Sequence, residues 1–224
     1  MRHYRWIFLV ALACDIIASG ASQWTGFATG VSAEWTQSGY RFAGGSAPWG
    51  LGFAVLVGFL YLLLMDVSAV GAGAPVEGLL RRFLAFWIDF IFGMSIISPV
   101  VGLVPMIFEW KRTGVFAWSF ERTTAAPFDA PVAVCSFLLM STGLLLYFAI
   151  PIMRLKPSPG SCVLGYQVLP EAGSHLTFGQ AMLRTGLGLV AVGGAFIAPF
   201  VGRNRRKGMF WLDNLFQTRA VRLG

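Results

Sequence analysis

Trp49 to Met65 contains no charged residue, and three more apolar runs accompany it: Trp6 to Ala18, Phe83 to Phe108 and Pro131 to Met153. A helix of about 20 apolar residues crosses the hydrocarbon core of a bilayer. A soluble chain of this length folds around one core, and one core cannot hide four such runs from water. Composition agrees: 12% of the 224 residues are charged, where soluble domains carry about 25%. The sequence therefore predicts an all-α membrane protein. It has four transmembrane helices, a C-terminal re-entrant or fifth short helix, and a small cytoplasmic β-like segment.

The first run follows the basic start Met-Arg-His-Tyr-Arg. It reads either as a cleaved signal peptide ending near Ala-Ser-Gly-Ala-Ser or as a retained helix. Asp15 inside it favours retention, and both readings put the N-terminus in the cytoplasm. Gln23 to Pro48, with Trp24, Trp35 and the neighbouring Trp49, reads as an extracytoplasmic loop with aromatic anchors. Val67 to Gly78 reads as a small-residue linker. The Phe83–Phe108 run spans with tilt or a kink at Pro99 or Pro105, and Glu109 to Ala130 reads as a mixed-charge loop. Cys162 to Leu169 has strand character, with a turn at Pro170-Glu171-Ala172-Gly173. Thr177 and Gln180 then form a capping box ahead of the last apolar run. The division is 1–78, an N-terminal extension with two apolar segments and a loop, and 79–222, a membrane domain.

That last run, Thr185 to Val201, is interrupted by Gly186, Gly188, Gly193 and Gly194. Cytoplasmic loops are enriched in Lys and Arg. With four spans, Arg2, Arg5, Arg81, Arg82, Arg154, Lys156 and Arg184 lie inside, and Arg41, Lys111, Arg112 and Arg122 outside. A full crossing would put the basic tail (Arg203, Arg205, Arg206, Lys207, Arg219, Arg222) outside and tip the balance the wrong way. A re-entrant run turning near Gly193-Gly194 keeps the tail cytoplasmic, on the inner face of the plasma (cell inner) membrane.

Two acids fall inside apolar runs, Asp15 and Asp89, and ionisable groups at that depth are functional candidates. Asp89 shares a helix face with Arg82, roughly 10 Å along the axis. Asp15 lies roughly 14 Å into its own helix, so the two carboxylates could sit at similar depth and exchange a proton for a cation. Either acid could instead fix helix packing alone. The net charge of +7 is accounted for by orientation and anionic headgroups. No basic patch interleaves with stacking aromatics, so nucleic acid is not an expected partner. Cys14, Cys135 and Cys162 form no CxxC, and His3 and His175 lie in polar stretches, so no metal is expected. No nucleophile–base pair or phosphate loop is present. The expectation is no catalytic residue, no cofactor and no enzyme.

The stretch Arg-Arg-Phe-Leu-Ala-Phe-Trp-Ile-Asp, residues 81–89, resembles the first helix of the RDD family, named for one Arg and two Asp residues. Leu164-Gly165-Tyr166-Gln167-Val168, Gly173 and the run from Leu176 to Arg184 resemble its middle motif. Leu212 to Val221 resembles its closing motif. The resemblance covers about Leu79 to Arg222. It makes Arg82, ahead of the neighbouring Arg81, the family's Arg, Asp89 its first Asp and Asp213 its second. Gly160-Ser161 departs from the Gly-Lys pair that usually opens the middle motif, so any role of that Lys is absent, and Asn214 and Gln217 depart from the commoner residues. The resemblance implies transport, with monovalent cation/proton exchange associated with some members, and identifies no substrate.

An Arg82–Asp213 ion pair, with Arg184 also within reach, would clasp the tail below Asp89. Reversing both charges together should then restore folded protein lost in either single variant. The leading expectation is a small transporter or transporter-like protein in the lipid bilayer. Asp89 handles a monovalent cation or proton, and several copies could assemble as a homo-oligomer. The alternative is a non-transporting membrane scaffold whose Arg and Asp residues are structural.

Overall fold

The computed structural model describes residues 2–25, 30–36, 39–66, 79–170, 176–194, 213 and 215–222. In chain order its elements are α1 (Arg2–Thr25), β1 (Gly30–Thr36), β2 (Gly39–Gly45), α2 (Pro48–Asp66), α3 (Leu79–Thr113), β3 (Ser119–Arg122), α4 (Asp129–Met153), α5 (Pro159–Leu164), β4 (Tyr166–Pro170), α6 (Phe178–Gly194) and β5 (Thr218–Arg222).

Helices α2 and α4 have no polar face. Val55, Phe59 and Leu62 on α2, and Val134, Phe137 and Leu138 on α4, are each more than half exposed. Water tolerates such a surface poorly and lipid tolerates it well. Among the described residues α3 and α4 are long and apolar enough to cross a membrane, while α2 is apolar but shorter. Of the four crossing helices expected, two among the described residues therefore meet the requirements of length and apolarity together. Helix α3 continues through both Pro99 and Pro105.

The all-α expectation is corrected by two small antiparallel sheets. In the first, of order β1-β2-β3, Ala33 pairs with Phe42, Trp35 with Tyr40, and Phe42 with Arg122. The segment read as an extracytoplasmic loop is thus mostly a hairpin. In β1, Val31, Ala33 and Trp35 alternate with Ser32 and Glu34, the period of a strand. The mixed-charge loop likewise holds the end of α3, up to Thr113, and strand β3.

In the second sheet β4 pairs with β5, from Tyr166↔Arg222 to Pro170↔Thr218. The strand expected from Cys162 begins only at Tyr166, because α5 precedes it. Ser158 caps that helix, Pro159 sits at its first turn, and Gly165 at φ 73° closes it in the left-handed region. The capping box forms: the amide of Thr177 donates to Gln180 Oε1 at 3.0 Å, and the amide of Gln180 to Thr177 Oγ1 at 3.4 Å. Helix α6 runs through Gly194. A turn of the last run beyond that point, the linker 67–78, the turn at 171–173 and the basic residues 203–207 lie outside the described residues.

The chain divides into two compact units. The first comprises Met1–Val10, Leu60–Ile91 and Leu145–Gly224. Its core joins Ala85 of α3 to Tyr166 and Ala220 of the second sheet, with Leu164 and Val168 packed alongside. The second comprises Ala11–Phe59 and Phe92–Leu144. There the first sheet lies against α3 at glycine contacts: a Cβ on Gly102 would stand 2.1 Å from the carbonyl oxygen of Gly45.

Candidate functional site

Asp89 projects from α3 in the first unit and is 4% exposed. Its Oδ1 accepts the amide N–H of Gly160 at 2.7 Å, and its Oδ2 accepts the Ser158 hydroxyl at 2.6 Å. The Tyr147 hydroxyl of α4 stands 3.5 Å from Oδ1. One carboxylate thus ties the first turn of α5 to α3 and reaches α4. Close approach is a condition of this arrangement. A Cβ on Gly160 would come within 2.2 Å of the Ala85 carbonyl oxygen and 2.9 Å of Asp89 Cγ. The Tyr147 carbonyl in turn accepts the Tyr61 hydroxyl at 2.8 Å, and the two rings stack at 4.9 Å.

Asp213 is 1% exposed. Its Oδ2 pairs with Arg82 Nη1 from α3. Its Oδ1 accepts Arg184 Nη2 from α6 at 2.9 Å and the Thr218 hydroxyl at 3.1 Å. The expected Arg82–Asp213 pair is present, and Arg184 joins it, so one buried carboxylate gathers α3, α6 and the segment leading into β5. Charge-assisted bonds of this kind are about twice as strong as neutral ones, and their geometry offsets the desolvation of the ions.

Between these two acids lies a cavity of about 180 Å³. Arg82, Asp89, Lys156, Ser161, Arg184 and Thr185 are among its polar lining residues, and Phe83, Phe86, Phe148 and Leu189 among its apolar ones. Tyr166 also lines it. Burial, and after it the charge of Asp89, pushes the Tyr166 phenol well above its ordinary range, so it stays a neutral donor. Among the described residues the hydroxyl of Thr185 and the Nε of Arg184 have no hydrogen-bond partner.

Asp15 belongs to the second unit, where it is 8% exposed and accepts the Ser95 hydroxyl at 2.6 Å. The two acids therefore have separate partners, and Asp15 does not line the cavity.

Sequence reasoning missed two sets of residues. Ser158 and Gly160 were legible as a Ser-Pro-Gly helix start, a cap followed by a proline at the first turn. The second set surrounds Arg122, whose side chain is 8% exposed. Arg122 pairs with Asp129, lies 3.5 Å from Glu109 Oε2 without a hydrogen bond, and stacks over Phe42 and Phe128 at about 5 Å. Tyr40 donates to Asp129 at 2.6 Å. This network spans the segment read as a loop, and no local pattern announces it.

The RDD family matches the chain over residues 76–212. Arg82, Asp89, Gly160 and Arg184 lie within that span, and Asp213 follows it directly. No curated protein and no solved structure matches the chain. The match covers more than half of the residues, and its apolar helices expose side chains suited to lipid. The chain is a membrane protein and belongs to the RDD family.

Proposed function

We propose that this chain is a small multi-pass transporter of the cell's inner (plasma) membrane, with both termini cytoplasmic and Asp89 as the ionisable group of its solute site. The observation that carries the reading is the cavity between Asp89 and the Arg82–Asp213–Arg184 cluster. A buried acid bordering such a space can take up and release a proton as the site is occupied and emptied. Arg82, Lys156 and Arg184, which also line the cavity, oppose a bare metal cation there. A proton is thus the species best suited to Asp89, and a monovalent cation exchanged for it would have to cross away from these basic groups.

The orientation is supported by the charges. Among the described residues, the segments assigned inside hold Arg2, Arg5, Arg81, Arg82, Arg154, Lys156, Arg184, Arg219 and Arg222, against Arg41, Lys111, Arg112 and Arg122 in those assigned outside. Lys and Arg segregate in this way when loops face the cytoplasm.

The test is proton flux in proteoliposomes under an imposed pH gradient, with Na⁺ or K⁺ supplied. Wild-type protein should dissipate the gradient in a cation-dependent way. Asp89→Asn should abolish the flux while the protein remains folded, because an Asn carbonyl still accepts the Gly160 N–H. A wild-type chain without flux, or an Asn variant indistinguishable from wild type, overturns the reading.

A scaffold role is the second reading, and one observation favours it. Every carboxylate oxygen of Asp89 and Asp213 is already engaged by a protein donor, as expected of groups that only hold elements together.

A further inference from the structure

The cavity is lined by cationic groups that a proton-handling acid does not explain. Arg82, Lys156 and Arg184 supply three positive charges to its wall, against one negative charge from Asp89. Asp213, bonded to both arginines, offsets part of that charge and holds their guanidinium groups beside the cavity.

Two buried polar groups lining the cavity lack a partner among the described residues. Thr185 is 6% exposed and its hydroxyl is unbonded. Arg184 directs Nη2 to Asp213 and leaves Nε without an acceptor. Buried donors of this kind cost free energy unless an acceptor meets them. Water could meet them, but water would not suit the apolar side chains of Phe83, Phe86 and Phe148 that also line the cavity. The occupant that answers all three features has an anionic, acceptor-rich head and an apolar body. Basic pockets between membrane helices take lipid headgroups for this reason.

We propose that the cavity binds the headgroup of an anionic amphiphile. Its phosphate or carboxylate lies against Arg184, Thr185 and Lys156, and the first methylenes of its apolar body lie on Phe83, Phe86 and Phe148. The proposal rests on reading the cavity as the solute site and names the class of molecule that site takes.

The test is native mass spectrometry of the full chain released from nanodiscs of phosphatidylcholine alone or mixed with phosphatidylglycerol, with oleate added as a single-chain probe. Wild type should retain phosphatidylglycerol over phosphatidylcholine. Lys156→Gln/Thr185→Val should weaken that retention at least about tenfold, the effect of losing a charge-assisted hydrogen bond. Thr185→Val alone, which swaps a hydroxyl for a methyl, serves if the double variant fails to fold. Oleate that displaces phosphatidylglycerol, or binds in its place, supports the same site and identifies a free amphiphile as the source. Equal retention of both lipids without oleate binding overturns the proposal, as does a folded variant that binds like wild type. Proton flux intact without anion binding sinks this proposal alone, and anion binding without flux sinks the transport reading alone.

Discussion

Gly160 and Asp89 fit together because one has no side chain: the Gly160 amide donates to Asp89 Oδ1 at 2.7 Å, and a Cβ there would meet the Ala85 carbonyl oxygen at 2.2 Å. The first turn of α5 thus rests directly on the backbone of α3. Its free amides are met by an acid on α3 as well as by its own cap, Ser158. An intramembrane acid is costly when unsatisfied, and here its partners come from a segment that would otherwise leave its own donors unmet.

Gly160→Ala should therefore destabilise more than an ordinary helix substitution, by about 2 kcal/mol from overpacking. The Ala85 oxygen is backbone and cannot swing aside. Ser158→Ala removes the cap and one of Asp89's donors, for about 1–2 kcal/mol. Thermal unfolding in detergent, followed by size-exclusion chromatography, checks both. A Gly160→Ala protein as stable as wild type would mean that α5 does not sit this close.

At Asp213 the structure alters what a charge swap should do. Asp213→Ala leaves Arg82 and Arg184 both without their acid and should cost about 3–5 kcal/mol. Arg82→Gln should cost less, about 1–2 kcal/mol, because Arg184 and Thr218 still hold the carboxylate. Reversing Arg82 and Asp213 together would set an arginine at position 213 against Arg184. The double reversal should therefore rescue folding only in part. Adding Arg184→Asp should rescue it further, read as the yield of monodisperse protein. Full rescue by the double variant would mean that Arg184 contributes nothing to the clasp.

The sequence revealed most about the first unit and least about the second. Arg82, Asp89 and Asp213 stood out because a charge inside or beside an apolar run is conspicuous, and helical spacing gave Arg82 and Asp89 a common face. The Thr177–Gln180 box was legible because its two bonds are local. The sheet of β1, β2 and β3 went unread although Val31, Ala33 and Trp35 alternate with polar residues. Glycine, serine and alanine around them made the segment look like a loop, and its stability depends on pairing with β3 far along the chain. The Arg122 network is equally non-local, for it brings together Tyr40, Phe42, Glu109 and Asp129.

Cys162 is fully buried, and burial pushes its thiol up to about 11. Thiolate is the reactive form, so the raised value keeps Cys162 neutral and slow at neutral pH. In a Cys14→Ser/Cys135→Ser background, maleimide labelling at pH 7–8 should be negligible in the folded protein and complete after denaturation in SDS. The residual rate should climb with pH up to pH 9 without a plateau, because the titration lies above that range. Rapid labelling at pH 7 in the folded state would contradict the packing of α5.

Arg122 offers the sharpest test of the second unit, because its two kinds of contact demand a guanidinium. It pairs with Asp129, approaches Glu109 and lies over the rings of Phe42 and Phe128. Lysine keeps the charge but has neither the planar fork for the acids nor the flat face for the rings. Arg122→Lys should therefore lose much of the stabilisation, about 2 kcal/mol, while Arg122→Gln takes the cation from buried Asp129, leaving it the Tyr40 and Ala126 donors, and should cost about 3–5 kcal/mol; Glu109 keeps Arg112. Tyr40→Phe removes one donor from Asp129 and should cost about 1 kcal/mol. The order Gln worse than Lys worse than Tyr40→Phe, measured as melting midpoints in one detergent, is the expected outcome. A lysine variant equal to wild type would reduce Arg122 to a simple counter-charge and remove the aromatic contacts from the account of how β3 is anchored.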